Sequence, residues 1–341
     1  MNSIAIKATG LFVFLILFTS CNILKKDTFP NRDIKVVIFS SKGGSTDRWS
    51  RHLSSIMEKE LGVKMICENV PGSLGGKGAM KVWNSPHDGY SVLGSSESSV
   101  FFGVNGVAPM ARDWEFYIAG GSPGVLAVLK ESEFVDIHKL IDTAHQSPGT
   151  VSVGNSGLGK LWHIKAKQFA VAAGVEFRHV PFNGSGPAID ALFDKKIDAI
   201  SCSADEIYDY VRNGKINVLL VNELDGFEFD GLGYVESATE LFPTIKQTYT
   251  HLFQWIGFML PADVPNNVKE KFDKAFMSAL NSPESKELMI KQKIQWMGVT
   301  GKEAKDIILK MESNASWIAK ELGVAREDPA VLGIQKITNS P

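Results

Sequence analysis

Hydrophobic and polar positions along the chain alternate between two periods, and the alternation predicts repeated strand–turn–helix units. Ile34-Lys35-Val36-Val37-Ile38-Phe39 is a nearly continuous apolar run, the pattern of a strand covered on both faces. After Ser40-Ser41-Lys42-Gly43-Gly44-Ser45-Thr46-Asp47, the residues Trp49, Leu53, Ile56, Met57 and Leu61 recur at helical spacing, and Gly62 supplies the stop. Val63 to Cys67 reads as a second strand, and Pro71-Gly72-Ser73-Leu74-Gly75-Gly76-Lys77-Gly78 leads into a short helix through Met80 and Trp83. Tyr90-Ser91-Val92-Leu93 reads as a third strand that enters a serine-rich loop, Gly94 to Ser99. The pattern then restarts. Strands are expected at Val125–Leu129, Thr150–Val153, Glu176–Phe182, Ile197–Cys202 and Ile216–Val221. Between them lie a helical stripe (Ile137, Leu140, Ile141, Ala144), the glycine-rich turn Gly154 to Lys160 before a helix of Leu161, Ile164, Gln168 and Phe169, and helices starting near Pro187 and Asp205. Proline is tolerated in the first turn of a helix. A looser stretch, Asn222 to Pro243, precedes a strand over Trp255–Leu260, and from Asn267 onward the chain reads as amphipathic helix.

Length and composition fit two α/β units. The chain has 341 residues, which at about 150 residues per domain suggests two domains. Its formal net charge of −2 leaves no basic footprint for nucleic acid. At the N-terminus Lys7 precedes the run Leu11 to Phe18, too short to span a bilayer comfortably, followed by Thr19-Ser20-Cys21. This reads as an export signal, and the cysteine at its end looks like that of a bacterial lipobox, with Phe18 where leucine is commonest. Cleavage after Ser20 makes Cys21 the first mature residue, a lipid-modified anchor; the alternative is ordinary secretion with Cys21 a free thiol. Cys67 and Cys202 sit in apolar runs and are expected as buried free thiols, and the scattered histidines have no metal-ligand spacing.

Small-residue loops that lead from strands into helices are suited to anions. Helix N-termini carry unpaired N–H groups and partial positive charge, glycine lets backbone approach closely, and serine adds a movable donor. The competing enzymatic patterns are missing. Lys42 precedes its glycines, unlike a Walker loop, and neither a dinucleotide fingerprint nor a nucleophile elbow is present. His163 reads as a hydrogen-bonded structural histidine or as a base, Glu97 as a partner for a ligand amine, a solvated carboxylate or a catalytic group, and Asp47 as an N-cap or loop brace.

An ordered set of motifs spans nearly the whole mature chain: Phe29-Pro30, Gly43-Gly44-Ser45-Thr46-Asp47, Glu68-Asn69-Val70-Pro71-Gly72, Asp88-Gly89-Tyr90, Ser147-Pro148-Gly149, Gly154-Asn155-Ser156-Gly157-Leu158-Gly159 with His163, and Ala173-Gly174-Val175. It continues through His179-Val180-Pro181-Phe182, Gly184-Ser185-Gly186-Pro187-Ala188, Asn213-Gly214-Lys215, and Trp255 with Leu260-Pro261-Ala262. In this set the chain resembles the periplasmic substrate-binding receptors of tripartite tricarboxylate transporters, the Bug proteins. It departs from their pattern at Phe39-Ser40 (usually Pro-Phe), at Lys42 (usually small), at Lys160 (commonly serine) and at Phe182-Asn183 (usually Tyr-Lys).

The resemblance implies an α/β type II periplasmic-binding fold, two α/β lobes closing over a ligand cleft. By that likeness residues 1–20 are a lipoprotein signal peptide, 21–31 a tether, 32–124 the first part of lobe 1, 125–250 lobe 2, and 251–341 the return segment and C-terminal helices of lobe 1. The expected function is capture of a small organic carboxylate and its delivery to integral-membrane transporter subunits, without catalysis or cofactor, by a monomer lipid-anchored at Cys21 on the periplasmic or outer side. The candidate ligand contacts are Ser40, Ser41, Lys42, Gly43, Gly44 and Ser45; Ser95 and Ser96; Asn155, Ser156, Gly157, Gly159 and Lys160; and Phe182 as a wall. Lys42 and Lys160 either face the cleft, which suits a more anionic ligand, or point into solvent. A sensor that presents ligand to a signalling kinase is the alternative function, and a hydrolase or transferase acting through His163 or Glu97 a third.

Overall fold

The computed structural model describes residues 29–337, so the expected export signal and Cys21, with the expected tether up to residue 28, lie outside the described residues. In chain order the first unit contains β1 (Ile34–Ile38), α1 (Ser45–Leu61), β2 (Met65–Asn69), α2 (Gly76–Trp83), β3 (Ser91–Ser96) and β4 (Trp114–Gly121). The second contains β5 (Gly124–Leu129), α3 (Ile137–Gln146), β6 (Ser152–Asn155), α4 (Leu161–Ala173), β7 (Arg178–Pro181), α5 (Ser185–Phe193), β8 (Ala199–Ser203), α6 (Ala204–Arg212) and β9 (Ile216–Val221). A hairpin of β10 (Phe227–Phe229) and β11 (Gly233–Val235) follows, with the short helices α7 (Ala238–Leu241) and α8 (Lys246–Tyr249). The chain ends with β12 (Ile256–Pro261), α9 (Asn266–Leu280), α10 (Pro283–Lys291), β13 (Gln295–Val299) and α11 (Gly301–Glu321).

The larger sheet runs β13-β4-β12-β3-β1-β2 and the second β7-β6-β8-β5-β9. Both are mixed. β1 pairs parallel with β2 and β3, whereas β12 and β13 enter antiparallel. The β1 run is apolar at successive positions because both its faces are covered: Ile34, Val36 and Ile38 pack with the α1 and α9 side, while Val37 joins the opposite cluster with Phe39 and Phe102. Leu53 and Met57 of α1 are fully buried, each worth about 1.5–3 kcal/mol relative to exposure. Gly62 ends α1 in the left-handed conformation at φ 72°, as its position after Leu61 predicts. The C-terminal helices return to the first sheet, where Phe272 and Phe276 of α9 meet Tyr117 of β4 edge-on at 4.7 and 5.8 Å.

Three expectations need correction. Trp114–Gly121 is a strand that the hydrophobic reading passed over, and β13 interrupts the supposed all-helical C-terminal region. Gly94, Ser95 and Ser96 belong to β3 rather than to a loop. Cys67 and Cys202 are free thiols as expected, though only Cys202 is fully buried.

The chain passes from the first sheet to the second between Gly121 and Gly124. That crossing is tied to its surroundings: Ser122 N–H donates to Gln254 Oε1 (2.7 Å), Gly124 N–H to Glu223 Oε1 (2.8 Å), and Asp205 N–H to Ser122 Oγ (3.0 Å). Glu223 also pairs at 2.5 Å with the fully buried Lys165, whose ammonium donates to the Asn222 carbonyl at 2.8 Å.

Candidate functional site

The turn after β1 is built by an internal brace. Asp47, at the start of α1, accepts from Gly43 N–H (3.0 Å), Asn69 Nδ2 (2.8 Å) and Arg51 Nε (2.8 Å), while Asn69 Nδ2 also donates to the Ser40 carbonyl (3.0 Å). Burial works against the Asp47 charge, yet these donors together hold its carboxyl below the usual range. It is a brace; Gly44 takes the N-cap position, and Gly43 adopts φ 86°, the conformation glycine enters without strain.

The small-residue turns of both lobes converge on a polar cavity of about 50 Å³, which shares wall residues with a second, outer cavity of about 240 Å³. Ser40, Ser41, Ser156 and Lys160 line both. Lys42, Gly44, Ser45 and Ser96 line the inner cavity, and Gly157 and Phe182 the outer one. Four expected residues stand apart. Gly43 is exposed behind the turn, and Ser95 is buried within β3. Asn155 accepts from Gly157 N–H at 3.0 Å, and Gly159 N–H donates to His163 Nδ1 at 3.1 Å, so both brace their own turn. In the turn Pro71 to Gly78, Gly72 and Ser73 line the outer cavity, whereas Gly75 and Gly76 serve packing: a Cβ on Gly75 would lie 2.2 Å from the Phe39 ring, and one on Gly76 would lie 2.6 Å from the Val107 carbonyl.

Two acidic wall residues stand outside the candidate contacts, although the sequence offers one of them, Glu97, as a partner for a ligand amine. Glu97, at the end of β3, is 4% exposed; Ser98 Oγ donates to its Oε1 at 3.1 Å, while its Oε2 has no hydrogen-bond partner among the described residues. Burial pushes its carboxyl up to about 7, against the lowering pull of nearby hydroxyls and of Lys160. Glu206 reaches in from α6 of the other lobe, accepting from Ser45 N–H (3.3 Å) and Ser203 N–H (3.4 Å). Burial and the neighbouring Asp205 raise its carboxyl too. The Ser203–Glu206 spacing, S-x-x-E, is a capping-box signature readable from sequence. Lys160 occupies the N-cap position of α4, its ammonium held below the usual lysine range by burial, opposed by Glu97 and Glu206. Of the two open readings for the lysines, Lys160 lines the cleft and Lys42 stands exposed at its rim.

The lobes touch across this cleft. Ser41 Oγ donates to the Asn183 carbonyl at 2.8 Å, and Arg48 pairs with the buried Asp205 at 2.8 Å. His163 lies beneath the turn, its ring 4.8 Å from that of His179, and burial lowers both imidazoles to about 4. A separate cavity of about 360 Å³ sits at the crossing, walled by Ser122, Glu223, Tyr249 and Gln254 among others, and holds none of the expected contacts.

A family model described as the tripartite tricarboxylate transporter family receptor matches residues 50–324. A Pseudomonas sp. (strain P51) protein, named for its place in the tcbD-tcbE intergenic region, is 29% identical over 265 residues, 76% of each chain. Among solved structures, adipate-bound Rpa4515 of R. palustris superposes with a TM-score of 0.77 at 19% identity, over 87% of this chain and 99% of that one. Malate-bound MatC of Rhodopseudomonas palustris gives 0.71 at 20% identity, over 86% and 98%.

Proposed function

The chain belongs to the tripartite tricarboxylate transporter receptor family, and from that premise we propose that it is an exported receptor that captures a small organic carboxylate by closure of its lobes and delivers it to the membrane subunits of a tripartite tricarboxylate-type transporter. We take residues 32–124 with 251–341 as one lobe and 125–250 as the other, a division supported by the membership of the two sheets. The observation that carries the reading is the polar cleft walled by both lobes, in which the half-buried Lys160 lies among serine hydroxyls and glycine-rich backbone. Such a site exchanges a carboxylate's water for fixed donors, each charge-assisted hydrogen bond contributing about 1.5–3 kcal/mol. Closure is selected because a ligand touching both walls has differential affinity for the closed state. Adipate and malate in the related structures support a carboxylate ligand. A thermal-shift screen of the purified protein against small carboxylates tests the reading, since ligand at about 100 times its Kd stabilises by about 2.7 kcal/mol. A rise with one acid and its close analogues is expected, and no rise across the panel with folded, ligand-free protein would count against it.

The anchor is a further part of the same proposal: a lipid on Cys21 holds the receptor at the membrane face. Cys21→Ser is expected to move the exported protein from the membrane to the soluble fraction; unchanged sedimentation would reject the anchor.

A further inference from the structure

We propose that the ligand carries an ammonium group beside its carboxylate, an amino-acid-type zwitterion, with Glu97 and Glu206 meeting the ammonium and Lys160 the carboxylate. This rests on the receptor reading and narrows its ligand class. The walls of the inner cavity hold two carboxylates, one on each lobe, the buried Glu97 and the half-buried Glu206, against one half-buried cation, Lys160. Glu97 Oε2 is enclosed with no partner among the described residues, although the rest of its carboxylate is anchored by Ser98. An enclosed anionic oxygen is unfavourable unless paired, and an ammonium, with three donors and a full charge, pairs it completely. At the N-terminus of α1, the amide of Ser45 already faces Glu206, so the seat at which a helix would receive the ligand's carboxylate presents a negative wall instead. Arg48 is committed to Asp205 and to the Gly43 carbonyl, and Lys42 lies exposed at the rim. Lys160 has no carboxylate within 4.0 Å among the described residues, which leaves its ammonium for the ligand's carboxylate. A dicarboxylate without an amine would bring a second negative charge toward Glu97 and Glu206 with one half-buried lysine, Lys160, to offset it.

The test is calorimetric titration of the purified protein with matched pairs that differ by one amine: propionate and alanine, succinate and aspartate, glutarate and glutamate. The amino member of at least one pair is expected to bind tenfold or more tighter than its amine-free partner. Glu97→Gln should weaken the amino member tenfold or more, the scale of one hydrogen bond to a charged group, and leave the amine-free acid unchanged or tighter. If Glu97→Gln does not fold, Glu206→Gln carries the same comparison. Amine-free acids binding as tightly as their amino partners, or a Glu97→Gln loss equal for both, would overturn the inference and leave the receptor reading intact. Binding of neither series by folded protein would remove the receptor reading and this inference with it.

Discussion

Glu97 destabilises the folded chain once it is ionised, and the effect can be measured without any ligand. In the unfolded chain its carboxyl titrates near the ordinary 4.5; in the fold, burial pushes it up to about 7. Because the folded value is the higher one, the folded state binds the proton more tightly, and the associated stability is fully present below about pH 4.5. It is lost as the pH rises from there through 7. At about 1.36 kcal/mol for each tenfold difference in proton affinity, the loss above pH 7 is about 3 kcal/mol. A glutamine side chain at this position would be neutral throughout and nearly the shape of the protonated acid. Glu97→Gln should therefore match the parent near pH 4.5 and exceed it at pH 8, by roughly 5 °C in Tm for a chain of this length. Scanning calorimetry of both proteins at the two pH values, free of ligand, measures the difference of differences. A variant that gains equally at both values, or loses stability at pH 8, would refute a charged carboxylate enclosed without compensation.

Lys160→Ser retains a good N-cap for α4 while removing the cleft cation, so it should fold at least as stably and bind the carboxylate at least tenfold more weakly by calorimetry; unchanged affinity would move Lys160 out of the ligand's reach. A Cβ at Gly44 would stand 3.5 Å from Glu206 Oε1, so the methyls of Gly44→Val should press the lobes apart and abolish binding with the circular dichroism spectrum unchanged; retained binding would relocate the contact. His163 and His179 titrate at about 4 in the fold, below the ordinary 6.5, so their contribution to stability is present above pH 6.5 and is lost as the pH falls toward 4. Their imidazole NMR resonances should stay constant from pH 8 to 6, and a midpoint near 6.5 for either would contradict its burial.

Where local chemistry and global packing agree, the fold is legible in the sequence. The β1 run announces a strand with two covered faces, and Gly62 marks the end of α1 because a left-handed C-cap suits glycine. β13 was not legible, since Gln295-Trp296-Met297-Gly298-Val299 is a short, half-exposed edge strand with Gly298 at φ 63° and an irregular register. β4 is fully embedded, yet its Trp-Glu-Phe-Tyr start lacks the β-branched run that made β1 plain. In the site, the Gly/Ser turns and Lys160 could be found because both lobes place them at strand ends leading into helices. Asn155 and Gly159 share the composition of those turns, but the Asn155 Oδ1 and the Gly159 N–H are taken up by hydrogen bonds inside them, a distinction that composition does not carry. Glu206 escaped because its role depends on where α6 meets α1 across the cleft, a contact between residues 161 positions apart.

Binding of a small carboxylic acid in the cleft between the lobes is decided by calorimetric titration of the purified protein beside its Lys160→Ser variant. Saturable one-to-one binding of one acid to the parent is expected, with a loss of tenfold or more in the folded variant. Equal binding by both, or heat from neither across the carboxylate panel, would contradict it.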